Sequence, residues 1–242
     1  MTWVEETGST NADLVAAART GVPAGTVLVA DHQTAGRGRL GRTWQAPPGS
    51  ALLCSILLRP EPGRVLHGAV WAVALAARQA AGEVVGVELD LKWPNDLLSG
   101  GRKLAGVLAE GVGAPDDPSR LAAVVVGIGL NVGWDQPPPE VAAGAVTLEE
   151  LAGRPVDREA LLRALLGALA PMLELWTGAP EQLRERYRSS LTTLGQRVRV
   201  TLADREVEGE AIDVTADGAL VVRVGDDELV VSAGDVVHLR PA

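Results

Sequence analysis

The hydrophobic pattern of this chain changes near Gly195, and the change restricts the folds that the chain can adopt. Before this residue, strand-like apolar runs are interleaved with long stretches of helical period. From Gln196 onwards, apolar and polar residues alternate, as in Val198-Arg199-Val200, which is the period of a half-buried strand. Turn signals that separate five short strands stand at Asp204, Asp217-Gly218 and Gly225-Asp226. The pattern predicts a first domain over residues 1–192 and a small β-barrel over residues 193–242.

The first domain is predicted to contain both helices and strands. The run from Val65 to Ala81 is rich in Ala, Leu and Val and has the composition of a largely buried helix. Further helices are predicted over Ala12–Arg19, Leu148–Leu151, Arg158–Trp176 and Glu181–Leu191. Strands are predicted over Thr26–Ala30, Ala51–Leu58, Val87–Trp93, Arg102–Glu110 and Leu121–Val132.

One segment of this domain concentrates basic residues in a chain whose formal net charge is −9. Between Gln33 and Trp44, three arginines are interspersed with three glycines: Gly36, Arg37, Gly38, Arg39, Gly41 and Arg42. Arginine offers a rigid fork of donors that matches a phosphate or carboxylate, and glycine lets backbone approach a ligand closely. Long connections between strands are usually functional or disordered. We interpret the segment as a flexible loop that wraps an anion such as a polyphosphate; the alternative is a mobile surface loop.

The composition argues against several classes of function. The acidic net charge disfavours non-specific binding to nucleic acid or to anionic membranes. The single cysteine, Cys54, lies in an apolar run as a small core residue and fits a reducing cytoplasm. The histidines His32, His67 and His238 lack the spacing of metal ligands. No signal-peptide core opens the chain, and we expect no apolar run long enough to span a bilayer.

Two groups of polar residues stand at the ends of predicted elements. Ser9-Thr10-Asn11 precedes a predicted helix, where such residues normally cap the first turn but can also orient a neutral polar ligand. Lys92-Trp93-Pro94-Asn95-Asp96 ends a predicted strand. Its Asn and Asp are either turn formers or oxygen donors to a metal or a polar ligand, beside the positive charge of the lysine.

Two further groups lie within predicted strands. Lys103 is either an exposed edge charge or, because Gly106 lets a ligand lie close to the sheet, an electrostatic catalyst. Gly127-Ile128-Gly129-Leu130-Asn131 places two glycines in a strand, where they either relieve crowding or admit a ligand.

Taken together, these segments closely resemble the biotin protein ligases, also called biotin–acetyl-CoA-carboxylase ligases. The matching motifs are Ser9-Thr10-Asn11, the loop Gly36–Trp44, Lys92–Asp96, Lys103–Gly106 and Gly129-Leu130-Asn131. Gly8 departs from the family pattern, which often has Asp at this position, and so removes one carboxylate. Because Ser9 falls almost at the start, we expect a monofunctional form without the DNA-binding winged helix that begins some members.

The resemblance implies a fold and a reaction. The fold is an α/β (α+β) core, a mixed sheet with flanking helices related to class II aminoacyl-tRNA synthetases, followed by an SH3-like β-barrel. The reaction joins biotin to ATP, with Mg²⁺, as biotinyl-5′-AMP and releases pyrophosphate. The biotinyl group then passes to a lysine of the biotin carboxyl carrier domain of an acyl-CoA carboxylase, and AMP is released.

The resemblance also implies roles for individual residues. Catalysis by charge and orientation, without a covalent enzyme intermediate, is expected from Lys103, Arg37, Arg39 and Arg42. The residues expected to bind biotin are Ser9, Thr10, Asn11, Gln33, Gly36, Arg37, Gly38, Arg39, Trp44, Lys103, Gly106, Gly127 and Gly129. The residues expected to bind the nucleotide are Arg39, Arg42, Trp44, Lys92, Asn95 and Asn131. No metal site is expected beyond the Mg²⁺ that accompanies ATP, for which Asp96 is a candidate ligand.

Three other functions are open to a chain of this kind. The first is a lipoate or octanoate ligase or transferase of related fold, and the arginine loop together with Lys92–Asp96 favours biotin over it. The second is a non-catalytic biotin-binding regulator, against which Lys103 and the three loop arginines weigh. The third is a DNA-binding repressor, which the acidic charge disfavours. We expect a cytoplasmic monomer or weak homodimer that binds neither DNA nor membrane.

Overall fold

The computed structural model describes residues 1–61, 63–114, 116–117, 120–137, 141–202, 205–232 and 235–239. Their helices are α1 (Thr10–Arg19), α2 (Leu66–Val85), α3 (Leu148–Ala152), α4 (Arg158–Gly178) and α5 (Pro180–Ser189). The strands of the first sheet are β1 (Thr2–Thr7), β2 (Val27–Gln33), β3 (Ala51–Leu58), β4 (Asp90–Lys92), β5 (Asp96–Ser99), β6 (Arg102–Gly113) and β7 (Leu121–Asn131). The strands of the second sheet are β8 (Arg197–Thr201), β9 (Glu206–Val214), β10 (Leu220–Val224), β11 (Asp227–Val231) and β12 (Asp235–His238).

The first sheet is mixed, with the strand order β1-β2-β3-β7-β6-β5-β4. Strands β1 and β2 are parallel, and the other neighbouring pairs are antiparallel. Helices α1 and α2 both contact its strands, and α2 also packs against α4. The predicted mixed α/β architecture with flanking helices is therefore confirmed.

Alternate residues of β3 point to opposite faces of this sheet, as the pleat of a strand requires. Leu52, Cys54 and Ile56 join the core that includes the buried residues of α2 and α4. Leu57 instead joins a smaller apolar cluster with residues of α1 such as Leu14. Both faces of the sheet are thus covered, which explains why the eight residues of β3 are all buried.

Cys54 lies fully inside the larger core, as its apolar surroundings in the sequence predict. Burial raises the pKa of its thiol to about 12. A thiol in this environment stays protonated at neutral pH and behaves as a small apolar side chain.

The second sheet is antiparallel, with the strand order β11-β10-β9-β8-β12, and its five strands match the five predicted ones. The turn expected at Asp204 lies outside the described residues. Val198, Val200 and Leu220 of this sheet belong to the same buried cluster as the apolar residues of the first sheet. Two hydrogen bonds reinforce the contact: the Trp93 indole N–H donates to the Gly218 carbonyl (2.9 Å), and the Trp93 backbone N–H donates to Thr193 Oγ1 (3.0 Å).

Apart from small shifts in the bounds of other elements, three differences separate the predicted elements from the observed ones. Strand β1 is not predicted, because Thr2–Thr7 is short and polar and is held by long-range pairing with β2. Helix α2 continues to Val85 and ends at Gly86 in the left-handed region, so β4 begins only at Asp90 rather than at Val87. The corner after β4 carries a separate strand, β5, instead of leading directly to a hairpin turn.

Helix α4 corrects another expectation. Among the described residues it is the one helix that is long and apolar enough to cross a membrane. In the fold it packs against α2 and β3, and Leu161, Leu165 and Leu169 are buried in the core. A buried core helix meets the same criterion of length and composition.

Candidate active site

A pocket opens on the face of the first sheet that carries α1. On this face of β7, the residues change from Val125, which packs under α1, to Gly127 and Gly129, which have no side chain. On the same face of β3, Leu57 is followed towards the pocket by Ser55. The sheet is therefore uncovered where its residues become small, and the loop that precedes β3 lies over this region.

Three glycines give the pocket its depth. Gly106 and Gly129 are paired across β6 and β7, and the indole of Trp44 lies on them. A Cβ atom at position 129 would stand 2.3 Å from Trp44 Cε2, which no alanine tolerates without movement. A Cβ atom at position 127 would stand 2.2 Å from Asn11 Oδ1. Larger residues at these positions would displace either the indole or the asparagine.

The floor of the pocket is a hydrogen-bonded group of neutral side chains. Ser9 caps α1, and the next residue, Thr10, donates its backbone N–H to Gln33 Oε1 (2.8 Å). Its hydroxyl lies 3.0 Å from the same oxygen and 2.7 Å from Ser55 Oγ. Ser55 Oγ in turn lies 2.7 Å from Asn11 Oδ1. Since Thr10, Asn11 and Ser55 are all buried, this floor is set by the fold before any ligand arrives.

The rim of the pocket is cationic. Five basic side chains line it, and they are Arg37, Arg39, Arg42, Lys92 and Lys103. Asp96 is the one carboxylate among the described lining residues, and its Oδ1 lies 2.6 Å from Lys103 Nζ. The same ammonium group stands 5.6 Å from the centre of a Trp44 ring, close enough for a cation–π contact. The rim therefore offers an anion several positive charges beside an aromatic wall.

The glycine-arginine loop closes on itself above the floor. Arg37 and Thr43 form an isolated antiparallel bridge, and the Gly38 N–H donates to the Arg42 carbonyl (2.7 Å). Between them, a single 3₁₀ turn spans Arg39–Gly41. Leu40 in this turn has a φ of 55°, a conformation that is uncommon for residues other than glycine, and its side chain is 64% exposed.

Comparison with known proteins decides the family. Residues 5–131 match the Biotin/lipoate A/B protein ligase family, and residues 193–239 match the Biotin protein ligase C terminal domain. The chain belongs to the biotin/lipoate protein ligase family. The resemblance on which the sequence motifs were interpreted is thereby confirmed.

Relatives within this family match almost the whole chain. The chain is 43% identical to the biotin–[acetyl-CoA-carboxylase] ligase of Mycobacterium tuberculosis, over 98% of this chain and 88% of that protein. It is 32% identical to the enzyme of the same name from Paracoccus denitrificans, over 95% of this chain and 97% of that one. Among solved structures, it resembles the biotin protein ligase from Aquifex aeolicus in complex with biotin and ATP, with a TM-score of 0.83, 29% identity and coverage of 99% and 98% of the two chains.

Most of the site residues predicted from the family motifs line this one pocket. The following residues, which were expected to bind biotin or the nucleotide, line the pocket: Ser9, Thr10, Asn11, Gln33, Arg37, Gly38, Arg39, Arg42, Trp44, Lys92, Asn95, Lys103, Gly106, Gly127 and Gly129. Asp96, the candidate Mg²⁺ ligand, lies among them. The structure therefore brings together motifs that lie as far apart in the chain as Ser9 and Gly129; their individual roles stay predictions.

Two predicted site residues are not in the pocket lining. The side-chain amide of Asn131 is buried and lies 3.2 Å from the Val146 carbonyl and 3.4 Å from that of Lys103. Gly36 accepts the Trp44 N–H at its carbonyl (3.0 Å), and a Cβ atom there would stand 2.4 Å from the Trp44 carbonyl oxygen. Both residues contact neighbours that do line the pocket; Asn131 is 4% exposed, and its role at the nucleotide stays a prediction.

Several residues of the site were not among the predicted ones, and three of them show why. Ser55 carries a local signal, because it is the one polar residue in the apolar run of β3. Val236 reaches the pocket from β12 of the second sheet, and nothing in its own neighbourhood indicates this. Glu110 lies outside the lining but binds two residues that belong to it, Arg37 and Asn11. Such contacts depend on pairing across the chain and not on a motif.

The described residues include no group of three or more His, Cys, Asp or Glu side chains arranged to hold a metal ion. Asp96 offers carboxylate oxygens, which suit Mg²⁺, but one of them is paired with Lys103. The donor set fits an ion that arrives on a phosphate and gains at most a carboxylate from the protein.

Proposed function

We propose that this protein attaches biotin to a lysine of a biotin carboxyl carrier domain, through biotinyl-5′-AMP, at the expense of ATP. The observation that carries the proposal is the combination, in one pocket, of a neutral hydrogen-bonding floor and a rim with five cations. Relatives over nearly the full length of the chain are named biotin–[acetyl-CoA-carboxylase] ligases. A solved structure of the same fold holds biotin and ATP.

The first half-reaction brings two anions together. An oxygen of the biotin carboxylate attacks the α-phosphorus of ATP, the bond from that phosphorus to the bridging oxygen breaks, and pyrophosphate leaves. The carboxylate and the triphosphate repel each other, so the site must supply positive charge at their junction. Lys103, at the edge of the floor, is suited to this position, and Arg39 and Arg42 are suited to the phosphates. Catalysis then rests on orientation and charge.

The neutral floor suits the uncharged ureido ring of biotin. Ser9, Thr10 and Gln33 offer hydroxyl and amide groups whose positions are fixed by their hydrogen bonds to the fold. The paired glycines Gly106 and Gly129 leave room for the apolar part of the ligand beside the indole of Trp44. Lipoate has no ureido group, so this floor favours biotin over the lipoate and octanoate alternatives.

The second half-reaction requires that water be kept from the mixed anhydride. The amine of the acceptor lysine attacks the acyl carbon, the bond to the phosphate oxygen breaks, and AMP leaves as the amine loses a proton. Residues 36–44 lie over the pocket, and their closure on the adenylate would exclude water until the carrier lysine enters. Because Lys103 and all three loop arginines line one pocket, a catalytic role is favoured over a purely regulatory one.

Mg²⁺ enters with ATP as part of the substrate in this proposal. Asp96 is the lining residue suited to bind it, and release of its pairing with Lys103 would free both groups at once. The ion would neutralise phosphate charge beside the arginines.

The wider expectations belong to the same proposal. We propose that residues 1–192 form a catalytic domain related to class II aminoacyl-tRNA synthetases and that residues 193–242 form an SH3-like barrel. The β12 residue Val236 gives the second domain a direct part in the pocket. The acceptor is the carrier domain of an acyl-CoA carboxylase, and the protein acts in the cytoplasm as a monomer or weak homodimer, without DNA or membrane.

Pyrophosphate release tests the proposal and its alternatives. The protein is incubated with Mg·ATP and either biotin or lipoate, and released pyrophosphate is measured by a coupled phosphate assay. Release with biotin but not with lipoate, followed by a mass increase of an added carrier domain, is the expected result. Release only with lipoate would identify a lipoate ligase, and biotin binding without release from ATP would identify a regulator.

A further inference from the structure

We propose that Glu110 is a positioning residue that links the glycine-arginine loop to the floor of the pocket. This inference rests on the proposed function and deepens it, because it concerns how the same pocket holds biotin. Glu110 lies on β6, outside the pocket lining, and its Oε2 atom accepts two hydrogen bonds. One comes from Arg37 Nη2 of the loop (3.0 Å), and the other comes from Asn11 Nδ2 of the floor (2.8 Å).

The carboxylate fixes which way the Asn11 amide points. An ionised carboxylate only accepts hydrogen bonds, so it must face the NH₂ group of Asn11 rather than its oxygen. The same NH₂ group lies 3.2 Å from the Leu108 carbonyl, a second acceptor that favours the same orientation. Asn11 Oδ1 is consequently turned to Ser55, in the space that Gly127 leaves open.

The orientation of Asn11 then sets the direction of the hydrogen bonds in the floor. Ser55 has one hydroxyl hydrogen, and Asn11 Oδ1 at 2.7 Å can only accept it. The close contact of 2.7 Å between Ser55 Oγ and Thr10 Oγ1 therefore needs the hydrogen of Thr10, which is then not donated to Gln33 Oε1 at 3.0 Å. Gln33 Oε1 keeps the backbone N–H of Thr10 as its donor. Glu110, together with the Leu108 carbonyl, thus sets which floor groups are donors and which are acceptors for the polar head of a ligand.

The second hydrogen bond of Glu110 restrains the loop. Arg37 follows Gly36 at the start of the glycine-arginine loop, and its side chain is 45% exposed. An ion pair with this exposure adds little to the stability of a protein. Its value lies in geometry, since it anchors the start of a loop whose next residues contact the ligand in the proposed function. Loss of Glu110 should therefore weaken biotin binding far more than it weakens the fold.

The test compares two arginine–glutamate pairs. E110A and E110Q remove or weaken the link at the pocket, whereas E150A removes the partner of Arg102 in an exposed pair with a contact of 2.6 Å outside the pocket lining. We expect E110A to raise the KM for biotin in pyrophosphate release roughly tenfold or more, with a smaller change in kcat. E110Q retains an acceptor for Asn11 but loses the attraction for Arg37, so its KM should lie between those of wild type and E110A. In an R37A background, E110A should cost less than it does alone, because the pair is already broken.

A second measurement does not depend on activity. Hydrogen exchange of the unliganded protein should show faster exchange over residues 36–44 in E110A than in wild type or E150A, with unchanged exchange in β3 and β7. If the wild-type protein releases no pyrophosphate with biotin, the proposed function fails, and this exchange result alone decides the role of Glu110. Equal loop exchange in E110A and E150A, or a wild-type KM in E110A, would overturn the inference. A loss of thermal stability in E110A with wild-type KM and loop exchange in E110Q would likewise reduce Glu110 to a structural residue.

Discussion

The floor and the cover of the pocket are built on different physical principles. Floor residues such as Thr10, Asn11 and Ser55 are at most 5% exposed and lie on a helix end or a strand of the first sheet. The cover is a loop with a single short 3₁₀ turn, in which Leu40 is 64% exposed and has a positive φ. The floor is part of the regular structure of the fold, whereas the loop is held by a bridge within itself and by side-chain contacts such as that of Arg37 with Glu110.

This difference suggests that the floor provides selectivity for the ligand, whereas the loop compensates its negative charge. A prearranged floor costs little conformational entropy when a ligand binds, so its hydrogen bonds can distinguish one neutral head group from another. Ordering the ten residues of Ala35–Trp44 at roughly 1 kcal/mol each would cost on the order of 10 kcal/mol if the loop were fully mobile. Contacts of the arginines with phosphate and burial of Leu40 must offset that cost. The loop should therefore close only on a ligand that carries negative charge.

The largest effect is expected where floor and rim meet, at Lys103. Lys103→Ala should keep the fold and slow biotinyl-5′-AMP formation about a hundredfold, because one preorganised charge contact is worth about 3 kcal/mol in the transition state. Single-turnover pyrophosphate release is the measurement. Arg102→Ala is the matched control, since Arg102 neighbours Lys103 but pairs with Glu150 outside the pocket lining. Near-normal release from a folded Lys103→Ala protein would remove Lys103 from the mechanism.

The rigidity of the floor is tested by Gly127→Ala. The added methyl group would stand 2.2 Å from Asn11 Oδ1 and must displace it. We expect the Kd for biotin, measured by calorimetry, to rise about tenfold or more, with a smaller change in ATP binding. Gly144→Ala is a suitable control, because no atom lies within 4 Å of a Cβ built there. Unchanged biotin affinity in Gly127→Ala would show that the floor adapts and is not rigid.

The mobility of the cover is tested by hydrogen exchange with and without biotinyl-5′-AMP. Amides of Ala35–Trp44 should exchange faster in the free protein than in the complex, because three glycines give the loop high backbone entropy. Amides in the central part of β7 should be protected in both states. Equal protection of the loop in the two states would mean that the arginines act from a preformed site, and the contrast between floor and cover would disappear.

The smallest expected effect is a pH dependence of thermal stability that arises from two histidines close to the cations of the rim. The pKa of His67 is lowered mainly by burial and further by the positive charge of Arg39. The pKa of His238 is lowered mainly by burial and further by the positive charge of Lys92. Because the folded state binds these protons less readily than the unfolded state, stability should fall as the pH drops below about 6.5. We expect the Tm to decrease from pH 7.5 to pH 5.5, and to decrease less in H67Q and H238Q.

The control for this prediction is H32Q, since His32 lies in an exposed pair with Glu6. If the Tm of the two variants changes with pH as much as that of wild type, these histidines do not contribute to the acid sensitivity.

The fold was predictable from the sequence where an element is long and its pattern is local. The run Ala51–Leu58 is bounded by turn residues and coincides with β3, and the Gly195 boundary separates five strands that match the second sheet. Strand β1 was not predicted, because an edge strand such as Thr2–Thr7 is stabilised by its neighbour and not by its own apolar residues. The core that the two sheets share was also not predicted. The change from helical to alternating hydrophobic pattern near Gly195 marks a boundary but does not show that the Trp93 indole donates a hydrogen bond to the Gly218 carbonyl.

The site was predictable to the extent that motifs carry it. Lys103, Gly129 and Arg39 lie in motifs that are typical of the family, and all of them line the pocket. Glu110 and Val236 could not be predicted from the sequence, because their contacts with the site arise from strand pairing and from the packing of the second sheet. A motif identifies the residues that contact a ligand better than those that hold them in place.

The burial of Cys54 makes the protein suitable for site-selective labelling. The chain has one cysteine, and a buried thiol with a pKa of about 12 will not react with maleimide reagents at neutral pH. A cysteine placed at the exposed position of Leu40 would therefore be the single reactive thiol of the folded protein. A fluorophore attached there would report opening and closure of the loop in real time, without removal of the native cysteine.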